Sequence, residues 1–324
     1  MDPTIEFLNA GSSLTPVAQR LLTSGFNVNA LRTQDVLRKE EWLMFDNTVV
    51  DVARHNLPVT GMMISRGLTY DLPNALGHTK LEWEKMSDLG AADISMSGLT
   101  QGRNDRLDFT MDSMPIPIVH KDFSLNIRAL SASRNGSTPL DTTQAAVAAR
   151  KVAETVESLI FNGYTGLGAN NAIYGFKTAT NRITGSVTAS WVTATGDQIV
   201  GDVIAMINAL QAKNMYGPYA LMVPLPVHVK FGNDYKAGSD KTIMQRVKEI
   251  PGISEIIPSY YLSSSNVLLV QLTSDVADIV DGIQPTTVMW ESHGGMMFNF
   301  KVLAILVPRI KSTYESQCGI AHYS

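Results

Sequence analysis

The residues with chemical potential are few and scattered. Gly163-Tyr164-Thr165-Gly166-Leu167-Gly168 is rich enough in glycine to suggest a phosphate cradle. It follows a helical stretch, however, and lacks the Lys-Ser/Thr pair that reaches the phosphates, so it reads as a flexible connection. The six histidines (His55, His78, His120, His228, His293 and His322) include no pair at metal-ligand spacing. Asp105 with Asp108, or Glu82 with Glu84, supply paired carboxylates for acid–base work. Their neighbours offer no desolvation that would drive the two pKa values of either pair apart. No Gly-x-Ser-x-Gly elbow presents a serine nucleophile. The single Cys318 excludes both a disulfide framework and a four-cysteine metal site. The expectation is a protein with no catalytic residues, no cofactor and no metal.

Composition turns attention from chemistry to contact. The chain has 324 residues, a net charge of -4 and only 17% charged side chains against 44% hydrophobic ones. A soluble monomer carries nearer a quarter charged residues, so much of this surface is expected to meet protein. No run of about 18 apolar residues occurs, hence no membrane span is expected. No Lys/Arg block is present to grip nucleic acid. If DNA is near this protein, it is expected to be enclosed by it and not clasped. Synthesis in the cytoplasm follows.

The elements that must position such contacts can be read from periodicity. Residues 1 to about 60 hold short apolar clusters with no sustained period, apart from one helix expected over about Gln34 to Val52 with Trp42, Leu43 and Phe45 as anchors. Such a segment buries too little on its own to offset its ordering entropy, so the arm is expected to order on a neighbouring subunit. Lys80-Leu81-Glu82-Trp83-Glu84 alternates as a half-exposed strand, with Ile64 to Tyr70 expected as its hairpin partner. Thr138-Pro139-Leu140-Asp141 opens a helix with a cap and a first-turn proline. Its apolar positions Ala145, Ala149, Val152, Val156, Leu159 and Ile160 follow at spacings of three and four, and Asn162-Gly163 ends it. At 1.5 Å per residue this helix spans about 36 Å. Its charged side is expected to carry Arg150, Lys151, Glu154 and Glu157. A second helix is expected over Asp197 to Lys213, a buried strand over Tyr219 to Val223, and helical turns near 226–231 and 241–249. Strands are expected at 267–272, 287–290, 296–307 and 314–321.

Taken in order, these parts resemble the α+β capsid fold of the Hong Kong ninety-seven type, shared by major capsid proteins of tailed bacteriophages and encapsulins. The carriers are Pro115-Ile116-Pro117-Ile118-Val119-His120-Lys121-Asp122-Phe123, Arg128-Ala129-Leu130, Thr138-Pro139-Leu140-Asp141, Ala148-Ala149-Arg150-Lys151-Val152-Ala153-Glu154, Leu159-Ile160-Phe161-Asn162-Gly163-Tyr164 and Ile173-Tyr174-Gly175-Phe176. The resemblance implies an N-terminal arm over 1–61, an extended hairpin loop over 62–104, and a peripheral domain over 105–189 with its spine helix at 139–162. An inserted axial domain over 190–285 and a return to the peripheral domain over 286–324 would follow. It also implies a capsid protein that assembles with itself into pentamers and hexamers of an icosahedral shell around double-stranded DNA. Portal, scaffolding and decoration proteins are the implied partners, and the virion, built in the bacterial host cytoplasm, is the implied location. The alternative is an encapsulin-type compartment around an enzyme cargo. Candidate intersubunit contacts are Trp42, Phe45, Arg66, Lys80, Trp83, Lys85, Arg103, Asp105 and Arg106.

Overall fold

The computed structural model describes residues 37, 39–87, 94, 96, 97, 99, 106–135, 142–168, 171–236, 238–263 and 265–324. Most of the expected arm, the helix start at Thr138 to Asp141, and the contact candidates Arg103 and Asp105 lie outside the described residues. In chain order the elements begin with α1 (Lys39–Asn56), α2 (Pro58–Ser65), β1 (Thr69–Asp71), β2 (Lys80–Met86), β3 (Phe109–Pro115), β4 (Val119–Asn126), α3 (Ile127–Asn135) and α4 (Thr143–Asn162). Then come β5 (Ile183–Gly185), α5 (Gly196–Gln211), β6 (Tyr219–Pro224), α6 (Leu225–Lys230), α7 (Ile243–Lys248), β7 (Ile253–Ser259), β8 (Val267–Gln271), β9 (Ala277–Ser292), β10 (Met297–Ile310) and β11 (Ile320–Tyr323).

The chain divides into two compact units. The first takes the described residues up to Thr79 together with Ile116–Ile160 and Ile279–Val307. Its sheet has the order β1-β9-β10-β4, with β1 parallel to β9 and β4 antiparallel to β10. Phe298, Phe300 and Val302 alternate inward along the start of β10, as one buried face requires. In the long helix α4, Ala145, Ala149, Val152, Val156, Leu159 and Ile160 are all buried, as the spacing predicts. Gly163 ends it at φ +67, where a Cβ would stand 2.1 Å from the Ile173 carbonyl oxygen. No L side chain fits there.

The second unit takes Lys80–Pro115, Phe161–Asp278 and Pro308–Ser324. Its five-stranded sheet has the order β5-β11-β8-β6-β7, and every residue of β6 and β8 is buried. Ile199, Val203, Met206, Ile207 and Leu210 of α5 pack in one core with Tyr219, Leu221, Val223, Val267, Leu269 and Ala321. A capping box starts α5: Thr195 Oγ1 accepts from Gln198 N, and Gln198 Oε1 accepts from Thr195 N at 2.9 Å. Thr195→Ala should lower stability by about 1 kcal/mol, read as a shifted urea midpoint with an unchanged slope.

Several elements depart from the sequence-based expectation. Ile64 to Tyr70 does not pair with β2. Pro58 stands in the first turn of α2 and Val59, Thr60, Met62 and Met63 are buried along it, so the apolar run continues a helix to Ser65. A short apolar run fits either period, and the proline decides it here. The partner of β2 is β3, in antiparallel register from Lys80↔Pro115 to Met86↔Phe109. The ribbon strands are thus 80–86 and 109–115, beyond the expected loop limit at 104. The arm helix runs to Asn56, beyond the expected end at Val52. The final strand is confined to Ile320–Tyr323 and pairs with β8 and β5, in the sheet of the second unit and not in that of the first.

Candidate assembly surfaces

Trp42 and Phe45 come from α1, which places them one turn apart on a single helix face. They bury against the first unit's own sheet. Phe123 of β4 and Phe300 of β10 are a cross-strand pair stacked at 5.0 Å between centroids. Phe45 lies 5.2 Å and Trp42 6.3 Å from the Phe300 ring. Both side chains were expected to reach a neighbouring subunit. Within the single chain both are buried near Phe300, an aromatic contact that costs no association entropy.

A buried carboxylate secures the next helix. Glu157 was expected on the charged side of α4 but is only 2% exposed. Its Oε1 accepts from Val59 N at 2.9 Å, and its Oε2 accepts from Thr60 Oγ1 at 2.9 Å and from Thr60 N at 3.4 Å. The N-cap of α2, Leu57, has no side-chain cap of its own, so Glu157 serves the open amides in its place. Burial pushes its pKa above the usual carboxylate range, and the hydrogen bonds from Val59 and Thr60 offset only part of that rise. The signal was present in the sequence: Glu157 stands four residues after Ala153 and three before Ile160, both in the buried stripe.

The ribbon β2–β3 carries most of the remaining candidates. Its strands alternate, so Glu82, Glu84 and Met86 face outward with Ser113, Met111 and Phe109 opposite them. Met86, Phe109 and Met111 are each at least 60% exposed, an apolar patch that was not among the contact candidates read from the sequence. Trp83 and Lys85 face the other way. Lys85 Nζ pairs with Asp112 at 2.5 Å and donates to Ser312 Oγ at 2.9 Å. The Arg309 guanidinium lies 5.8 Å from the Trp83 ring centroid. Lys80 and Arg106 are exposed, and Arg66 is exposed at the C-cap of α2.

None of this constitutes a reaction centre. Burial pushes the Cys318 thiol up to about 11, which keeps it protonated and unreactive at neutral pH. Among the described residues no group of three or more His, Cys, Asp or Glu side chains could hold a metal ion, and no helix is long and apolar enough to cross a membrane.

A family model matches residues 29–323, nearly the whole chain; it describes DUF6260, a family of unknown function. The chain belongs to that family. Among curated relatives of this DUF6260 member, the type 1 encapsulin shell protein EncA of Myxococcus xanthus (strain DK1622) is 28% identical over 192 residues, or 59% of this chain. The match spans 62% of that relative, less than two thirds of its length. Among solved structures, the virus-like particle from Pyrococcus furiosus superposes with a TM-score of 0.57 at 16% identity, covering 88% of this chain and all of that one (100%). The capsid of Myoviridae phage XM1 gives 0.62 at 11% identity, covering 81% of this chain and 91% of that one. Likeness at these identities speaks for the fold. The DUF6260 chain has the Hong Kong ninety-seven type fold, a shell-forming fold common to phage capsids and encapsulin-like particles.

Proposed function

We propose that this chain is the major capsid protein of a tailed bacteriophage, assembling with itself into the pentamers and hexamers of an icosahedral shell around double-stranded DNA. The carrying observation is the outward face of the ribbon. An isolated two-stranded ribbon is marginal in water, yet this one exposes Met86, Phe109 and Met111, and the described residues of the following connection add Ile94, Met96 and Leu99, all at least 60% exposed. Single exposed apolar side chains are ordinary, whereas a cluster on one element marks a surface awaiting protein. The occupant is a second copy of the chain; Lys80 at the far end of the ribbon and Arg106 just before it are exposed charges on the same unit. The absence of a catalytic constellation among the described residues fits a structural role.

A second reading, an encapsulin-type shell around an enzyme cargo, is favoured by the likeness to EncA. Purified assemblies discriminate. Closed polyhedral particles in the electron microscope support a shell, and a discrete monomer or small oligomer overturns it. Double-stranded DNA inside particles from the native source supports the phage, and co-purifying enzyme cargo without DNA supports the compartment. Replacing Phe109 and Met111 together by serine should leave the subunit's melting temperature nearly unchanged, as exposed positions do, while abolishing closed particles. Normal particles from that variant refute the docking role of the ribbon.

A further inference from the structure

The inner face of the ribbon carries a different device. Its cross-strand pairs are Leu81↔Met114, Trp83↔Asp112 and Lys85↔Thr110. Lys85 reaches diagonally to Asp112 on the partner strand and outward to Ser312, a residue 227 positions along the chain. The Trp83 ring is met by the Arg309 guanidinium, and its buried Nε1 has no hydrogen-bond acceptor among the described residues. The indole is therefore held through its π-surface and not through its polar edge. Arg309 is itself immobilised: its Nε donates to Asp278 Oδ1 at 2.8 Å and its Nη2 to Oδ2. Lys311 closes the arrangement, with its Nζ 2.8 Å from Asp278 Oδ2 and 2.7 Å from the Ser274 carbonyl oxygen.

We infer that Lys85 and Trp83 are positioning residues: they clamp the inner face of the ribbon to the end of β10 and so fix the direction in which the outer apolar face is presented to another copy. This rests on the shell reading of the ribbon but concerns a separate face and can fail separately. Lys85 pairs with Asp112 on the ribbon, while Arg309 and Lys311 both pair with Asp278. The Arg309 end is buried and permanent. The Lys85 end is partly open to solvent, since Asp112 is 42% exposed, so it is the half that salt or a binding partner can release. The ribbon can accordingly be firm in a free subunit and still swing when a neighbour competes for Lys85 or covers Trp83.

The test uses backbone hydrogen exchange on the unassembled full chain, comparing Lys85→Met and Trp83→Leu with the parent. The expected result is exchange about fivefold faster or more in 80–86 and 109–115, the scale of a lost half-exposed ion pair. Exchange at Val267–Gln271, in the core sheet of the same unit, should stay unchanged. The parent in about 1 M salt, where the Debye length falls to about 3 Å, should show part of the same acceleration. Unchanged ribbon exchange in both variants overturns the clamp. Acceleration spread through Val267–Gln271 also overturns it, because the residues then serve general stability. A parent that forms no particles would sink the shell reading, while the exchange data on the free subunit would still decide the clamp.

Discussion

Replacing Asp278 by alanine is expected to cost the free subunit about 3–5 kcal/mol, the range found when one partner of a buried ion pair is removed. The two side chains are 4% and 7% exposed, so the Arg309 guanidinium would keep its charge in a buried position after losing the carboxylate that meets its Nε and Nη2. Lys311, at 25% exposed, can turn to solvent and should add little to the loss. The measurement is the urea midpoint of the unassembled chain at fixed slope. The partnered change is informative. Asp278→Leu combined with Arg309→Met removes both charges, and such exchanges are commonly neutral. That double variant should recover most of the lost stability. If it is as weak as Asp278→Ala, the cost lies in packing and not in the orphaned charge.

Glu157→Ala should destabilise by about 3 kcal/mol or more, because three buried donors (Val59 N, Thr60 N and Thr60 Oγ1) lose one shared acceptor and each orphan costs about 1–3 kcal/mol. Glu157→Gln keeps an acceptor oxygen and should lose less. The pH dependence separates the two roles of this group. Its folded pKa is raised above the unfolded value, with burial the first cause. The folded state therefore binds the proton more tightly than the unfolded state does. The stabilisation linked to this proton is fully present below the unfolded pKa and is lost as pH rises through the raised folded pKa. The parent should thus gain stability over Glu157→Gln as the solution is acidified through that interval. A difference between the two that does not vary with pH would show that the carboxylate titrates normally.

The elements most legible in the sequence were those whose partners are local or whose period is long. The stripe of α4, the stripe of α5 and the all-apolar β6 follow from residue spacing alone, and the structure places them as expected. What spacing cannot convey is pairing. The strand Lys80–Met86 was recognisable by its alternation, but its partner was assigned to Ile64 to Tyr70, the nearest apolar run, instead of Phe109–Pro115. The assembly surface shows the same division. Trp83 and Lys85 stood out as ribbon residues, yet their contacts Arg309 and Ser312 lie more than 200 positions later and no local pattern marks them. Trp42 and Phe45 were correctly seen as anchors. Their target, Phe300, is a residue of the same chain, and nothing in a helix face says whose surface it will meet.

The strand pairings also set a timetable for synthesis. In the first unit β10 bridges β9 and β4, so Val119–Asn126 must wait for Met297–Ile310 before it has a partner in the sheet. In the second, Ile183–Gly185 waits for Ile320–Tyr323. Both sheets are therefore closed by segments translated after every strand they join. Contacts of such sequence separation form slowly and late. A nascent chain that has not yet emerged past these segments lacks both finished sheets and the Arg309 support of its ribbon. Until those segments arrive, Val119–Asn126 and Ile183–Gly185 keep unpaired edges, which makes the half-made chain the stage most prone to aggregate.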